Sequence, residues 1–276
     1  MIYGPATEAR IKEVVEACEL HGKSSIIALA GVPGTGKSHV ALPAAQRFAG
    51  EPTRVLEIQF HQSFSYEEFI EGMRIDANGS VLVKPGVLID WNQVASDDPT
   101  RHYVLLIEEF TRANLPAVLG EVMTYVEHRE RYFRAVYSRT PIRLAENLTL
   151  IATYNPTDRS ALELDAAILR RLRVIRFLPD TAQLEEMLSG ALPPKVIAKL
   201  KGVFDSCKMK HADDYEYTMP FGHGIFAGVK SETPDLHKLW VERIELMLRR
   251  PSGISHPFVQ TITDAYPWRD PRYTTS

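Results

Sequence analysis

The chain has 276 residues, 45% hydrophobic and 24% charged, which excludes a disordered protein and fits one large domain or two modest ones. Its 32 Lys and Arg against 35 Asp and Glu give a formal charge of -3, without the basic excess of a protein that grips nucleic acid unaided, although a local basic patch stays open. Cys18 and Cys207 make neither a disulfide framework nor a cysteine-rich zinc site, and the longest apolar runs, 26–30 and 104–107, are too short to span a bilayer. The N-terminus carries Glu8 early and lacks an apolar secretion core, so a cytoplasmic protein with no membrane partner is expected.

Short apolar runs alternate with helix-like segments, the pattern of a parallel α/β sheet. Strands are expected at 25–30, 54–59, 103–108, 148–153 and 174–177, with helices at 7–21, 37–48, 65–73, 115–127 and 164–171. Near-continuous apolarity in the first, third and fourth strands suits a sheet covered on both faces. Phe64, Phe69, Ile70 and Met73 fall near helical spacing and read as core, and His61 as a structural histidine. Leu178-Pro179-Asp180 breaks the pattern, and helical segments follow at 181–189, 194–207 and 235–249. The expected division is an α/β subdomain over 1–179, a helical subdomain over 180–250 and an extended tail over 251–276.

Gly31-Val32-Pro33-Gly34-Thr35-Gly36-Lys37-Ser38 fits G-x-x-x-x-G-K-[ST] and sits between an expected strand and an expected helix. Its glycines let the backbone curl so that N–H groups surround phosphate oxygens, and the following helix adds its positive end. Lys37 is placed to reach the β- and γ-phosphates and the Ser38 hydroxyl to ligate magnesium, so 31–39, through His39, is the expected nucleotide contact. The rival reading, a glycine-rich turn of another fold, is disfavoured by the strand–loop–helix setting.

The third strand ends in Glu108-Glu109. Glu108 is assigned to magnesium and Glu109 to activation of water; without the phosphate loop the pair would read as solvated acids. The fourth strand ends in Tyr154-Asn155-Pro156-Thr157-Asp158, which in isolation is a good turn. At the carboxyl edge of a sheet, Asn155 would instead hold the attacking water near the γ-phosphate. Arg112, Arg170 and Arg171 read either as γ-phosphate partners or as surface ion pairs. The basic stretch 128–143, with Arg129, Arg131, Arg134, Arg139 and Arg143, reads equally as a channel lining or a solvated hairpin.

Together these motifs resemble the AAA+ superfamily, and within it the McrB-type GTPases of modification-dependent restriction systems. Glu108-Glu109-Phe110-Thr111-Arg112-Ala113-Asn114 is similar to the family's D-E-I-N-R-A-N, and Thr153-Tyr154-Asn155-Pro156-Thr157-Asp158-Arg159-Ser160 to T-M-N-T-A-D-R-S. The aromatic segment 60–72, Leu164-Asp165-Ala166-Ala167 with Arg170-Arg171, and Phe221-Gly222-His223-Gly224-Ile225-Phe226 with Trp240 continue the likeness. The resemblance implies a P-loop AAA+ parallel sheet with a C-terminal helical lid, Mg2+ as cofactor, and GTP or ATP as substrate. It implies a homo-oligomer, a hexameric ring, working with an effector or nuclease subunit in restriction or phage defence, with nucleic acid engaged through that partner. Arg112, and Arg170 or Arg171, would act on the adjacent subunit's nucleotide, while Asn155 and Asp158 would form the loop through which the partner stimulates hydrolysis.

Departures from the family pattern carry information too. Glu108 stands where the family has Asp, so a nucleotide-gated scaffold that barely hydrolyses is a rival reading. Pro156 echoes the A-T-x-N-P of MoxR-type ATPases, which remodel proteins or assist metal-centre assembly. With no N-K-x-D segment, the choice between GTP and ATP stays open. The phosphate loop begins at Gly31, so the family's N-terminal DNA-reading domain is expected to be absent.

Overall fold

The computed structural model describes residues 3–158, 164–207, 219–249 and 258–275, and the chain divides into two compact units. The first comprises Ala9–Ala30 and Lys37–Arg176; the second comprises Met1–Glu8, Gly31–Gly36 and Phe177–Ser276.

Among the described residues, nine strands form in chain order: β1 (Ile26–Ala30), β2 (Val55–Gln59), β3 (Glu71–Ile75), β4 (Val81–Pro85), β5 (Tyr103–Glu108), β6 (Phe133–Arg134), β7 (Pro141–Ile142), β8 (Leu148–Tyr154) and β9 (Leu172–Arg176). The expected parallel sheet is present, with order β2-β5-β8-β1-β9. Every residue of β1 and β8 is buried, which suits the unbroken apolar run of β1 and the mainly apolar β8, where Thr149 and Thr153 are buried as well. Helix α1 (Pro5–His21) precedes β1, and Val40, Ala41, Ala44 and Ala45 of helix α2 (Lys37–Ala49) are buried. Register aligns Ile107 with Ala152 and Ala30 with Tyr154, so the carboxyl ends of β5, β8 and β1 share one edge. That edge carries the acids and the polar turn singled out above.

Two expected helices are interrupted. Over 65–73, helix α3 (Tyr66–Phe69) has a capping box from Ser65 and Glu68, then gives way to β3, which pairs antiparallel with β4. The tip of this hairpin is closed by Asp76, whose Oδ1 accepts from the backbone N–H of Asn78 and Ser80, each at 2.8 Å. Phe69 and Ile70 are buried as expected, but Met73 lies in β3 and is 54% exposed. Its helical spacing was incidental, because the period changes from helix to strand at residue 70. Over 115–127, Leu115–Leu119 and Val122–Tyr125 are separate turns, broken at Gly120 with φ 45°.

The basic stretch does form a small hairpin, β6 with β7, but Arg129 is not on its surface. Arg129 is buried, and its guanidinium donates to the carbonyls of Val126, Ala145 and Leu148 at 3.2, 2.7 and 2.9 Å. Burial pushes its pKa down to about 10, opposed by Glu146. This arginine is a structural tie between chain segments, not a ligand for nucleic acid.

The second unit is helical: Thr181–Leu188, Pro194–Ser206, and a run from Thr233 to Leu248 that includes a π-helical turn at Trp240–Ile244. Leu184, Leu200, Phe204, Phe221, Phe226, Leu236 and Trp240 are among its core. The tail corrects an expectation. Although 251–257 lies outside the described residues, Val259–Ala265 is a helix, and Ile262, Tyr266 and Trp268 are fully buried in the same core. Tyr266 stacks on Trp240 with centroids 5.3 Å apart, so the aromatics drive the tail inward rather than leaving it extended. Among the described residues, no helix is long and apolar enough to cross a membrane.

Candidate nucleotide site

In the α/β unit, Lys37 and Ser38 open helix α2, and Glu108 ends β5. Ser38 Oγ donates to Glu108 Oε2 at 2.9 Å. Thr153, from the neighbouring strand β8, also donates its hydroxyl to Glu108 Oε2. The residue types alone gave Thr153 no role; it is brought in by the β5–β8 register. Glu108 Oε1 is buried with no hydrogen-bond partner. A buried carboxylate oxygen left unpaired is costly unless a cation or its water fills the position, so Ser38 and Glu108 fit a magnesium ion. Among the described residues no three His, Cys, Asp or Glu side chains cluster as a metal site, so phosphate oxygens and water would have to complete the shell.

Burial lowers the pKa of Lys37, while Glu109, Glu108 and Asp158 act in the opposite direction and hold its charge. Glu109 leaves the strand in a left-handed conformation, φ 55° and ψ 41°, which is rare outside glycine. That turn, not strand alternation, separates its direction from that of Glu108. The 3-10 turn it starts is anchored by Phe110, fully buried and stacked on Phe60 at 5.8 Å. Phe60 in turn donates its backbone N–H to the Glu108 carbonyl at 2.9 Å. The aromatic segment after β2 is therefore a support for the acidic strand end. His61, edge-on to Phe64 at 5.5 Å, belongs to the same group of rings.

Arg112 connects the two strand ends. Its Nε lies 3.1 Å from Glu109 Oε2, and its Nη2 lies 3.2 Å from Asp158 Oδ2. Both contacts raise its pKa, the Glu109 hydrogen bond most. Asp158 Oδ1 accepts from Asn155 Nδ2 at 2.8 Å, and Asn155 Oδ1 accepts from the Thr157 backbone at 3.1 Å. Arg159 and Ser160 lie outside the described residues.

Arg170 and Arg171 share Glu127, at 3.2 and 3.0 Å. Arg171 is 8% exposed at its side chain and donates to the Ala167 carbonyl at 2.6 Å, whereas Arg170 is 61% exposed. Of the two, Arg170 is the one a neighbouring molecule can reach.

The preceding part of the phosphate motif, Gly31–Gly36, belongs to the second unit. Gly34 and Gly36 have φ of 80° and 84°, the left-handed values that the loop's curl requires. Thr35 Oγ1 donates to the Val32 carbonyl at 2.9 Å and closes the loop on itself. From Gly36 the chain passes directly to Lys37, Ser38 and His39.

Residues 26–172 match the family described as AAA domain (dynein-related subfamily). Over 177 residues, 60% of this chain, the sequence is 39% identical to the Type IV methyl-directed restriction enzyme EcoKMcrB subunit of Escherichia coli (strain K12). The shared region covers 38% of that protein's length. The family match takes in more than half of the chain, which accordingly belongs to the AAA domain family, dynein-related subfamily, of P-loop NTP hydrolases and is similar within it to McrB.

Proposed function

We propose that this chain is a ring-forming motor subunit that couples Mg2+-dependent hydrolysis of GTP or ATP to an effector or nuclease partner in a restriction or phage-defence system, in the cytoplasm. The observation that carries the reading is Glu108: one oxygen is held by Ser38 and Thr153, and the other is buried without a partner. Such a carboxylate is prepared for a cation and has little other use at the end of an apolar strand. Magnesium, when bound, neutralises charge on the β- and γ-phosphates.

The chain's own residues do the rest. The 31–38 backbone and Lys37 bind the phosphates, Glu109 takes the proton from the attacking water, and Asn155 orients that water. Arg112 and Arg170, both at least half exposed, are the candidates for meeting a neighbour's γ-phosphate in a hexamer, with Arg171 holding the shared Glu127 in place. The nucleotide-binding part is 1–179, the lid 180–250, and nucleic acid is reached through the partner. Similarity to a restriction-enzyme subunit supports the defence setting.

A second reading, a MoxR-like ATPase that remodels a protein partner, is favoured by Pro156 directly after Asn155. Steady-state hydrolysis of GTP and ATP, with magnesium and with chelator, separates the two by nucleotide preference. No magnesium-dependent turnover of either nucleotide, alone or with a candidate effector subunit, would remove both.

A further inference from the structure

Within the second unit, residues 222–224 run against the phosphate loop. The Gly222 N–H donates to the Pro33 carbonyl at 2.8 Å, and the Gly224 N–H donates to the Gly34 carbonyl at 2.7 Å. A trans peptide holds its C=O and the following N–H in opposite directions. Fixing the Pro33 and Gly34 carbonyls toward 222–224 therefore fixes the Gly34 and Thr35 N–H groups away from it, the orientation that an anion in the loop needs.

The fit leaves no room for a side chain on either glycine. A β-carbon on Gly222 would stand 2.3 Å from Gly34 O and 2.5 Å from Thr35 N, and one on Gly224 would stand 2.9 Å from Gly34 O. These are backbone atoms, which cannot swing aside. Between the two glycines, buried His223 places Nε2 3.4 Å from the β-carbon position of Gly36, and Gln183 Oε1 lies at the same distance. Together they pack against Gly36 in its left-handed conformation.

We propose that Gly222-His223-Gly224 is a clamp that pre-orients the phosphate loop, so that these positioning residues set the affinity for the polyphosphate regardless of the base. The proposal rests on the nucleotide-site reading above and adds to it a determinant about 190 residues away in the chain. A loop held only by its own sequence would have to pay its ordering entropy on binding; the clamp removes part of that cost beforehand.

The test measures binding of fluorescent GTP and ATP analogues, and competition by inorganic tripolyphosphate, for Gly222→Ala, Gly224→Ala, Gly202→Ala and Lys37→Ala in the full chain. Gly222→Ala is expected to weaken nucleotide and tripolyphosphate by the same factor, about tenfold or more, and Gly224→Ala by less. Gly202→Ala, where nothing lies within 4 Å, is expected to bind normally. If Gly222→Ala fails to fold, Gly224→Ala, whose clash is milder, decides. Wild-type affinity in the folded clamp variants overturns the proposal, and so does loss of nucleotide with tripolyphosphate binding intact, which would mark a base contact instead. Lys37→Ala separates the levels: normal nucleotide binding by that variant overturns the nucleotide-site reading itself.

Discussion

Arg112 and Asp158 form an ion pair, Nη2 to Oδ2 at 3.2 Å, that joins the turn after β5 to the turn after β8. Through it the proposed water-activating acid, Glu109, is tied to the proposed water-orienting amide, Asn155, by one continuous set of side chains. With Arg112 half exposed, a partner that competes for either end can rearrange the other without touching nucleotide.

Asp158→Ala is therefore expected to keep basal hydrolysis and lose stimulation by the partner, whereas Asn155→Ala loses both. Steady-state turnover of each variant, with and without the partner, measures this. Stimulation of Asp158→Ala as strong as wild type would leave 155–158 as only a turn.

Glu109→Gln is expected to bind nucleotide but lower turnover at least a hundredfold, because the proton acceptor is gone. Glu108→Gln should instead raise the magnesium concentration needed for half-maximal turnover, since the unpartnered oxygen loses its charge. Equal magnesium profiles for Glu108→Gln and wild type would count against the cation assignment.

Arg112 is paired within its own subunit here, so a role across an interface requires it to exchange partners on assembly. Mixing Arg112→Ala subunits with Lys37→Ala subunits is expected to restore part of the activity each lacks alone, since one supplies the site and the other the arginine. Turnover in the mixture equal to the average of the two separate variants would confine Arg112 to its own subunit.

Arg129→Ala is expected to cost about 3–5 kcal/mol of stability, because it strips donors from the buried Val126, Ala145 and Leu148 carbonyls, of which Ala145 keeps only the Leu148 N–H, and opens a cavity. Arg129→Lys should recover part of this, since an ammonium reaches fewer carbonyls than a guanidinium does. Urea unfolding reads both values; a loss below about 1 kcal/mol for Arg129→Ala would show that the carbonyls find other partners.

Features legible in the sequence are those encoded within a few neighbouring residues. The phosphate motif, the apolar runs of β1, β5 and β8, and the acids closing β5 each depend on local spacing and backbone preference, so they could be read without the fold. The hairpin β3–β4 was hidden because Phe64, Phe69, Ile70 and Met73 keep helical spacing across a point where the chain becomes a strand. Burial of Arg129, the aromatic support beneath Glu108, the Arg112–Asp158 pair and the grip of Gly222 and Gly224 on the phosphate loop were decided only by tertiary structure. Each joins residues that local spacing does not bring together, and such contacts are set by strand register and by which surfaces bury one another. An arginine at 129 looks the same in sequence as one at 131, but only the first is buried and donates to four backbone carbonyls, of Gly22, Val126, Ala145 and Leu148.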